Sequence, residues 1–296
     1  MPITVIFPPF TSSRAAWKEQ NLHRRRHIGP HGEFSINLHL LTQLSTSFLI
    51  MLIILIPFTI QANENPEGQI ENSIFSLFTY GGELDFNSRY VWRGIALSEG
   101  TVMQPTVWVS AFDLTLEVWG NFVLNDEPNQ GEFNEVNLIV YYSREWENIT
   151  IEPAVIIYLY PNQEDAPVTA EGSLKLSYSM GPIDVYTSHI FDFVEYGGSY
   201  FGDAGLSYEH EFNTELSLEA STSLGWASAE FNEVNIGVSK SALNVAGGDL
   251  HLTYYLKEHV YIRPHVELSA IVDADLRREV DDPTILNAGL AVGMEF

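Results

Sequence analysis

From residue 83 to residue 296 the chain alternates apolar and polar side chains in segments of about ten residues, and no convincing helical period interrupts the pattern. The last segment, LNAGLAVGMEF, is the clearest. Leu286, Ala288, Leu290, Val292, Met294 and Phe296 share one parity, and Asn287, Gly289, Ala291, Gly293 and Glu295 share the other. Successive side chains of a strand point to opposite faces, so this is a strand with one greasy face. The same rule runs through 84–92, 103–112, 113–123, 133–143, 170–179, 183–193, 200–210, 215–226, 248–256 and 260–272, while 149–160 is mostly apolar on both faces. Clusters of Gly, Pro, Asn, Asp and Glu separate the segments. Such a chain must form sheets, and each sheet needs one environment for its apolar face and another for its polar face.

Alternation alone fits two architectures. In a soluble sandwich or lipocalin-like barrel the apolar face points inward. In an outer-membrane barrel it meets lipid, the polar face lines a wet interior, and aromatics form girdles at the interfaces. Here Tyr90, Trp92, Tyr141, Tyr142, Trp146, Tyr158, Tyr160, Phe191, Phe193 and Trp226 sit at segment ends. Long acidic connections (NDEPNQGE, NQEDAPVT) alternate with short ones (SMGPI, REWEN). The expectation is an all-β fold, a closed antiparallel transmembrane up-and-down β-barrel spanning 83–296.

Parity sets the strand number. Counting 231–240 as a crossing gives an odd total, whereas single-chain bacterial barrels close with an even one. The hexapeptide EFNEVN occurs at 132–137, after a long loop, and again at 230–235. If the second copy also lies at the outer rim, 231–240 is no separate crossing, the KSALNVAGG stretch is a rim irregularity, and 12 strands remain. The alternative of 14 recruits residues 71–80 and also counts 231–240 as a crossing. A closed barrel pairs its last strand with its first, which gives an aromatic C-terminal residue a role at the end of a ladder. An aromatic C-terminal residue on an alternating strand also resembles the terminal signature of Gram-negative outer-membrane barrels, and that resemblance implies Phe296 as the signal to the outer-membrane assembly machinery.

The first 62 residues follow different rules. Phe48 to Ile56 is an unbroken apolar core, followed by Pro57 and Ala62, with Arg24, Arg25 and Arg26 upstream. A helix needs about 20 apolar residues to span a bilayer, and this run is shorter. It reads as the h-region, 48–60, of a secretory signal peptide cleaved near 62/63. Residues 1–62 are then a leader and 63–82 a periplasmic N-terminal segment. The leader carries five of the 14 basic and two of the 39 acidic residues, which leaves 9 against 37, or −28, for the remainder. A body this acidic does not bind nucleic acid by neutralising phosphates. The absence of cysteine removes disulfides and thiolate metal sites.

The polar face supplies the candidate lumen residues: the acids Asp85, Glu117, Glu135, Glu171, Asp184, Glu219 and Glu267, the bases Arg89, Arg93, Lys175 and Arg263, and His265. Arg89 and Arg93 are placed on the first strand. Ser188 and His189 are adjacent, so they point to opposite faces and form no nucleophilic dyad. From residue 63 onward no two histidines have the spacing of a metal pair. Asp273, Asp275, Asp281 and Asp282 read as an acidic solvated loop ahead of a Ca²⁺ site or a bridge to lipopolysaccharide. No catalytic residue, metal or cofactor is assigned.

SRYVWRGIALSEG (88–100), QPTVWVS (104–110), VWGNF (118–122) and YLYPN (158–162) resemble the TorF-type porin family of outer-membrane proteins. In that family a first strand ends in a Tyr–x–x–Arg–Gly–Ile-like turn, here with Arg93 and Gly94, and the second begins near a proline. The likeness spans 83–296 and is distinctive over 88–122, while the extended 273–283 loop departs from it. It implies a Gram-negative outer-membrane channel for small solutes or ions, with outer-membrane lipid and lipopolysaccharide as surroundings. The competing class is a non-conducting structural or adhesin-type barrel, and an outer-membrane enzyme stands behind both.

Overall fold

The computed structural model describes residues 77–125, 129–163 and 166–296. The leader, its cleavage point and most of the 63–82 segment lie outside the described residues. Twelve long strands close into one antiparallel barrel in which neighbours in sequence are neighbours in space. They are β1 (Thr79–Asn87), β2 (Val102–Ala111), β3 (Leu114–Val123), β4 (Phe133–Tyr142), β5 (Ile149–Leu159) and β6 (Thr169–Met180). The ring continues with β7 (Ile183–Asp192), β8 (Tyr200–Glu211), β9 (Leu216–Ala227), β10 (Ala242–Lys257), β11 (Val260–Ile271) and β12 (Thr284–Glu295). After Ser143, β4 resumes along β5 as Arg144–Trp146. The ring shuts between β1 and β12, from Gly81 opposite Glu295 to Asn87 opposite Gly289. The fourteen-strand alternative is not what forms.

The sequence-derived boundaries move at two strands, both at glycines. β1 starts at Thr79 and takes in Gly81 and Gly82, and β10 starts at Ala242 and runs through Gly247 and Gly248. Glycine carries no side chain to mark a face, yet its backbone still bonds in the ladder. At Gly81 a Cβ would stand 2.3 Å from the Trp108 ring and 2.6 Å from the Met294 carbonyl. Ala242 to Gly247 is thus a true extension of the strand. The off-barrel part of that connection is 228–241, where the second EFNEVN forms helix α1 (Ala229–Asn235).

Connections differ sharply at the two ends. One end has tight turns such as Phe112–Asp113, where φ of 53° and 66° gives the doubly left-handed turn that suits a two-residue hairpin. The other end carries the six long connections 88–101, 124–132, 160–168, 193–199, 228–241 and 272–283.

The two faces of the wall settle which architecture this is. Leu116, Leu206 and Leu268 are 50%, 48% and 53% exposed, and most outward positions of the strands are likewise apolar. Asn121, Glu135, Asn137 and Glu171 are buried on the inside. Apolar outside and polar inside is the reverse of a soluble barrel, and it suits a wall surrounded by hydrocarbon. At the tight-turn end, Phe112 and Trp146 stand 77% and 75% exposed, and at the other end Phe191 and Phe193 stand 53% and 58% exposed. These, with Tyr142 and Trp226, hold girdle positions. Tyr90, Trp92, Tyr158 and Tyr160 do not, because all four are buried.

Candidate functional site: a plugged lumen

The chain leaves the wall at Asn87 instead of running on to Trp92. Val91–Trp92 and Ile95–Ala96 pair as a small ribbon, and Arg93 and Gly94 at φ 47° and 81° form its two-residue tip. Leu97 N–H bonds to the Tyr90 carbonyl at 2.7 Å, and the Ser98 hydroxyl accepts Tyr90 N–H at 3.0 Å. This hairpin folds into the barrel. Tyr90, Trp92 and Leu97 pack into one buried cluster with Val102, Trp119, Ile190, Phe201, Ala227, Val245 and Ile271 from seven strands of the wall. Phe231 of α1 and Leu276 of the short helix α2 (Leu276–Glu279) complete it. Ring contacts follow: Tyr90 with Trp119 at 5.7 Å, Trp92 with Phe231 at 5.5 Å, and Phe201 with Phe231 at 5.3 Å. An apolar core therefore fills the barrel on the long-loop side.

Arg93 anchors this plug. Its guanidinium grips Glu171 of β6 with two bonds, 3.0 and 2.7 Å, while the Tyr158 hydroxyl donates to the same carboxylate at 2.6 Å. The guanidinium also lies over Trp92, Phe201 and Phe231 at 4.3, 4.9 and 5.5 Å. Both side chains of the ion pair are buried, 4% and 8% exposed. A buried charge needs a partner, and a planar fork matched to a carboxylate is the tightest one available. Glu135 on β4 performs the same service for Tyr90, accepting its hydroxyl at 3.0 Å and the Asn137 amide at 3.0 Å. Arg93 and Arg89 thus lie on the first long loop, past the end of β1. Arg89 pairs with Asp282 at 2.8 Å near the rim.

Towards the tight-turn end the interior is polar. Arg263 on β11 pairs with Glu83 on β1, and Tyr261 donates to the same Glu83 at 2.6 Å. His265 meets the Asn87 amide oxygen at 3.0 Å and Asp85 at 3.7 Å, and stacks on His251 with centroids 5.2 Å apart. His251 lies 3.2 Å from Asp249, which sits opposite Glu267 in the ladder. Lys175 stands 5.1 Å from the Tyr186 ring, within electrostatic reach of Glu152, Asp203, Glu219 and Asp184. Glu117 lies within reach of Glu83. Arg93, Arg89 and Arg263 hold three different carboxylates and do not gather into one basic ring.

Several partners escape a reading of alternation. Glu83 falls at a strand boundary blurred by two glycines, and Glu152 and Tyr158 belong to the one segment apolar on both faces. Asn87, Asp203 and Asp249 carry the inward parity, which was the available signal. Ser188 points inward and donates to Asp203, while His189 points outward and meets the Tyr200 hydroxyl at 2.9 Å. Among the described residues no group of three acidic or imidazole side chains could hold a metal ion. The acidic loop is paired with bases: Lys240 bonds to Asp273 and Asp275 at 2.7 Å each. Those bonds raise the Lys240 pKa above 10.5 and hold both aspartates below 3.8. Phe296 completes the closing ladder, exchanging both backbone bonds with Tyr80 and stacking on its ring at 5.6 Å.

No family model and no curated protein matches the chain. Among solved structures, the NanC porin is similar at TM-score 0.46 and 13% identity, over 73% of this chain and 98% of that one. The KdgM porin gives 0.45 and 9%, covering 74% and 99%. An outer membrane channel from Pseudomonas putida F1 gives 0.45 and 11%, covering 74% and 95%. Likenesses at this level carry neither substrate nor mechanism.

Proposed function

We propose that this protein is an outer-membrane channel for small hydrophilic solutes or ions, held closed by its own first long loop. One observation carries the reading: a wall that is apolar outside and charged inside is stoppered by residues 90–97, which belong to a connection and not to the wall. A loop can leave without breaking a single ladder bond. The short-turn end is read as periplasmic and the long-loop end as external, as barrels of this type are arranged. The resemblance of 88–122 to TorF-type porins points the same way. The plug equally favours a second reading, a permanently closed structural barrel.

Recording from purified protein in planar bilayers separates the two. Removing one partner of a buried ion pair leaves the other uncompensated, at a cost of about 3–5 kcal/mol. Arg93→Ala and Glu171→Gln are each expected to raise the open fraction steeply over a mostly closed native protein. A native protein that conducts steadily, with no response to either substitution, overturns the plug. Silence in both variants, folded and inserted, favours the structural barrel.

A further inference from the structure

Further along β6 from Glu171, on the tight-turn side of the plug, Lys175 points into the lumen. Its ammonium stands over the Tyr186 ring, 5.1 Å from the centroid. Tyr186 is opposite Gly205 in the ladder, and a Cβ at that glycine would stand 2.8 Å from the ring. The ring therefore rests against the wall and leaves a face for the cation, an arrangement that equally serves the ammonium group of a ligand. Four carboxylates lie within electrostatic reach of Lys175, those of Glu152, Asp203, Glu219 and Asp184. Glu219 is exposed, and Lys175, Tyr186, Asp184 and Asp203 are half-buried, so water reaches them.

The charges here do not balance. Arg93 also reaches Asp203, but its fork is taken up by Glu171. His251, opposite Glu219 in the ladder, lies against Asp249. Even with Asp203 set aside, Glu152, Asp184 and Glu219 outnumber the one base. A separate observation shows a shortage of donors. Glu152 is 4% exposed and stands opposite Lys175 in the ladder. One of its oxygens accepts the Ser143 hydroxyl at 3.1 Å, and the other, Oε1, is buried without a hydrogen-bond partner. Buried acceptors are rarely left so. An ammonium group brings three donors and a positive charge, which answers both deficits. A metal ion is the poorer fit, since among the described residues no group of three acidic or imidazole side chains could hold one.

We infer that this stretch of the lumen is a binding station for primary ammonium ions. Tyr186 is its platform, Glu152, Asp184 and Glu219 supply the counter-charge, and Lys175 is a tethered occupant. A diamine brings two ammonium groups: one competes with Lys175 for the ring, and the other takes up the remaining negative charge. This names a solute class, small aliphatic amines, for the proposed channel and rests on that reading, yet binding is measured without conduction.

Titration calorimetry on the full detergent-solubilised protein at low salt tests it. Putrescine is the probe, magnesium a dication without N–H groups, and succinate the anionic counterpart. Putrescine is expected to bind more tightly than magnesium, and succinate not at all. Lys175→Met removes the tethered competitor and should tighten putrescine binding by about tenfold, and magnesium binding less. Lys175→Arg keeps a cation in place and should stay near the native affinity. Tyr186→Leu and Glu219→Gln should each weaken putrescine binding several-fold. No putrescine binding by the native protein, magnesium binding at least as tight, or affinity unchanged in both Lys175→Met and Tyr186→Leu would each overturn the inference. Putrescine binding by a protein silent in bilayers, even as Glu171→Gln, would sink the channel and leave the station standing. A conducting protein that ignores putrescine would sink the station alone.

Discussion

Lys240 illustrates what single residues do here and how far their effect reaches. It ties the 228–241 connection to Asp273 and Asp275 of the 272–283 connection, which leaves the neighbouring strand at the same part of the rim. Both aspartates have depressed pKa values, so their contribution is complete above 3.8 and is lost as pH falls through their lower folded values. Lys240 has a raised pKa, so its contribution is complete below 10.5 and is lost as pH rises through its folded value. The tie is therefore intact over the whole neutral range. Lys240 and Asp275 are 41% and 46% exposed and Asp273 is half-buried, so salt weakens the tie, least at Asp273. Lys240→Met should speed proteolytic cleavage within 272–283 several-fold at pH 7 and low salt. Cleavage of the native protein should stay flat between pH 5 and 9 and rise below pH 4. Equal cleavage of both proteins at pH 7 would show that the tie holds nothing. The sequence made the acidic loop visible, but not its base, because Lys240 lies 33 residues upstream and no periodicity links the two. Arg93 was legible as an inward base, though its position past the strand end was not. A tip at φ 47° looks in sequence like one more alternating residue.

Among the elements, the hexapeptide EFNEVN is the most instructive. At 132–137 its residues enter β4, bonded to strands on both sides, with Glu135 and Asn137 turned inward and buried. At 230–235 it coils into α1, capped by the Ser228 hydroxyl accepting Phe231 N–H at 3.2 Å, with Phe231 and Asn232 buried. Neither local propensity is strong enough to decide, so the cap and the neighbours do. Repetition in the sequence correctly argued against an extra crossing, but the helix itself could not be read from identical letters. Most strands were legible because each meets lipid on one side and polar groups on the other. The hairpin 88–101 was not, since its alternation continues from β1 and only its environment changes. β12 gives the prediction at this scale. Phe296 supplies the last two backbone bonds of the closing ladder and contacts Tyr80 and His259, whose rings lie 5.6 and 5.0 Å away. Deleting it should cut assembled protein in the outer membrane several-fold while leaving conductance per assembled channel unchanged. Unaltered membrane levels, measured by quantitative blotting, would make the ending incidental.

At the scale of the whole molecule, charge and closure govern behaviour. Residues 63–296 carry −28, and low-dielectric walls focus such a field at the mouth. Screening limits its reach to about 8 Å at physiological salt. The open channel should therefore prefer cations modestly at low salt, the preference should fade as salt rises, and Arg93→Glu should increase it. Reversal potentials across a KCl gradient measure this, and anion selectivity in the unmutated protein would contradict it. Closure has a consequence of its own. Tyr90, Trp92 and Leu97 share one packed cluster with residues from β2, β3, β7, β8, β9, β10 and β11, a set that spans most of the circumference and comes together only in a finished ring. The same β1 that carries the hairpin also makes the final seam with β12. Peg and seam are thus neighbours on one piece of chain. The loop therefore measures the ring it sits in: a barrel with one strand too many or too few would separate Trp92 and Arg93 from these partners, and the miscounted barrel would be the looser one.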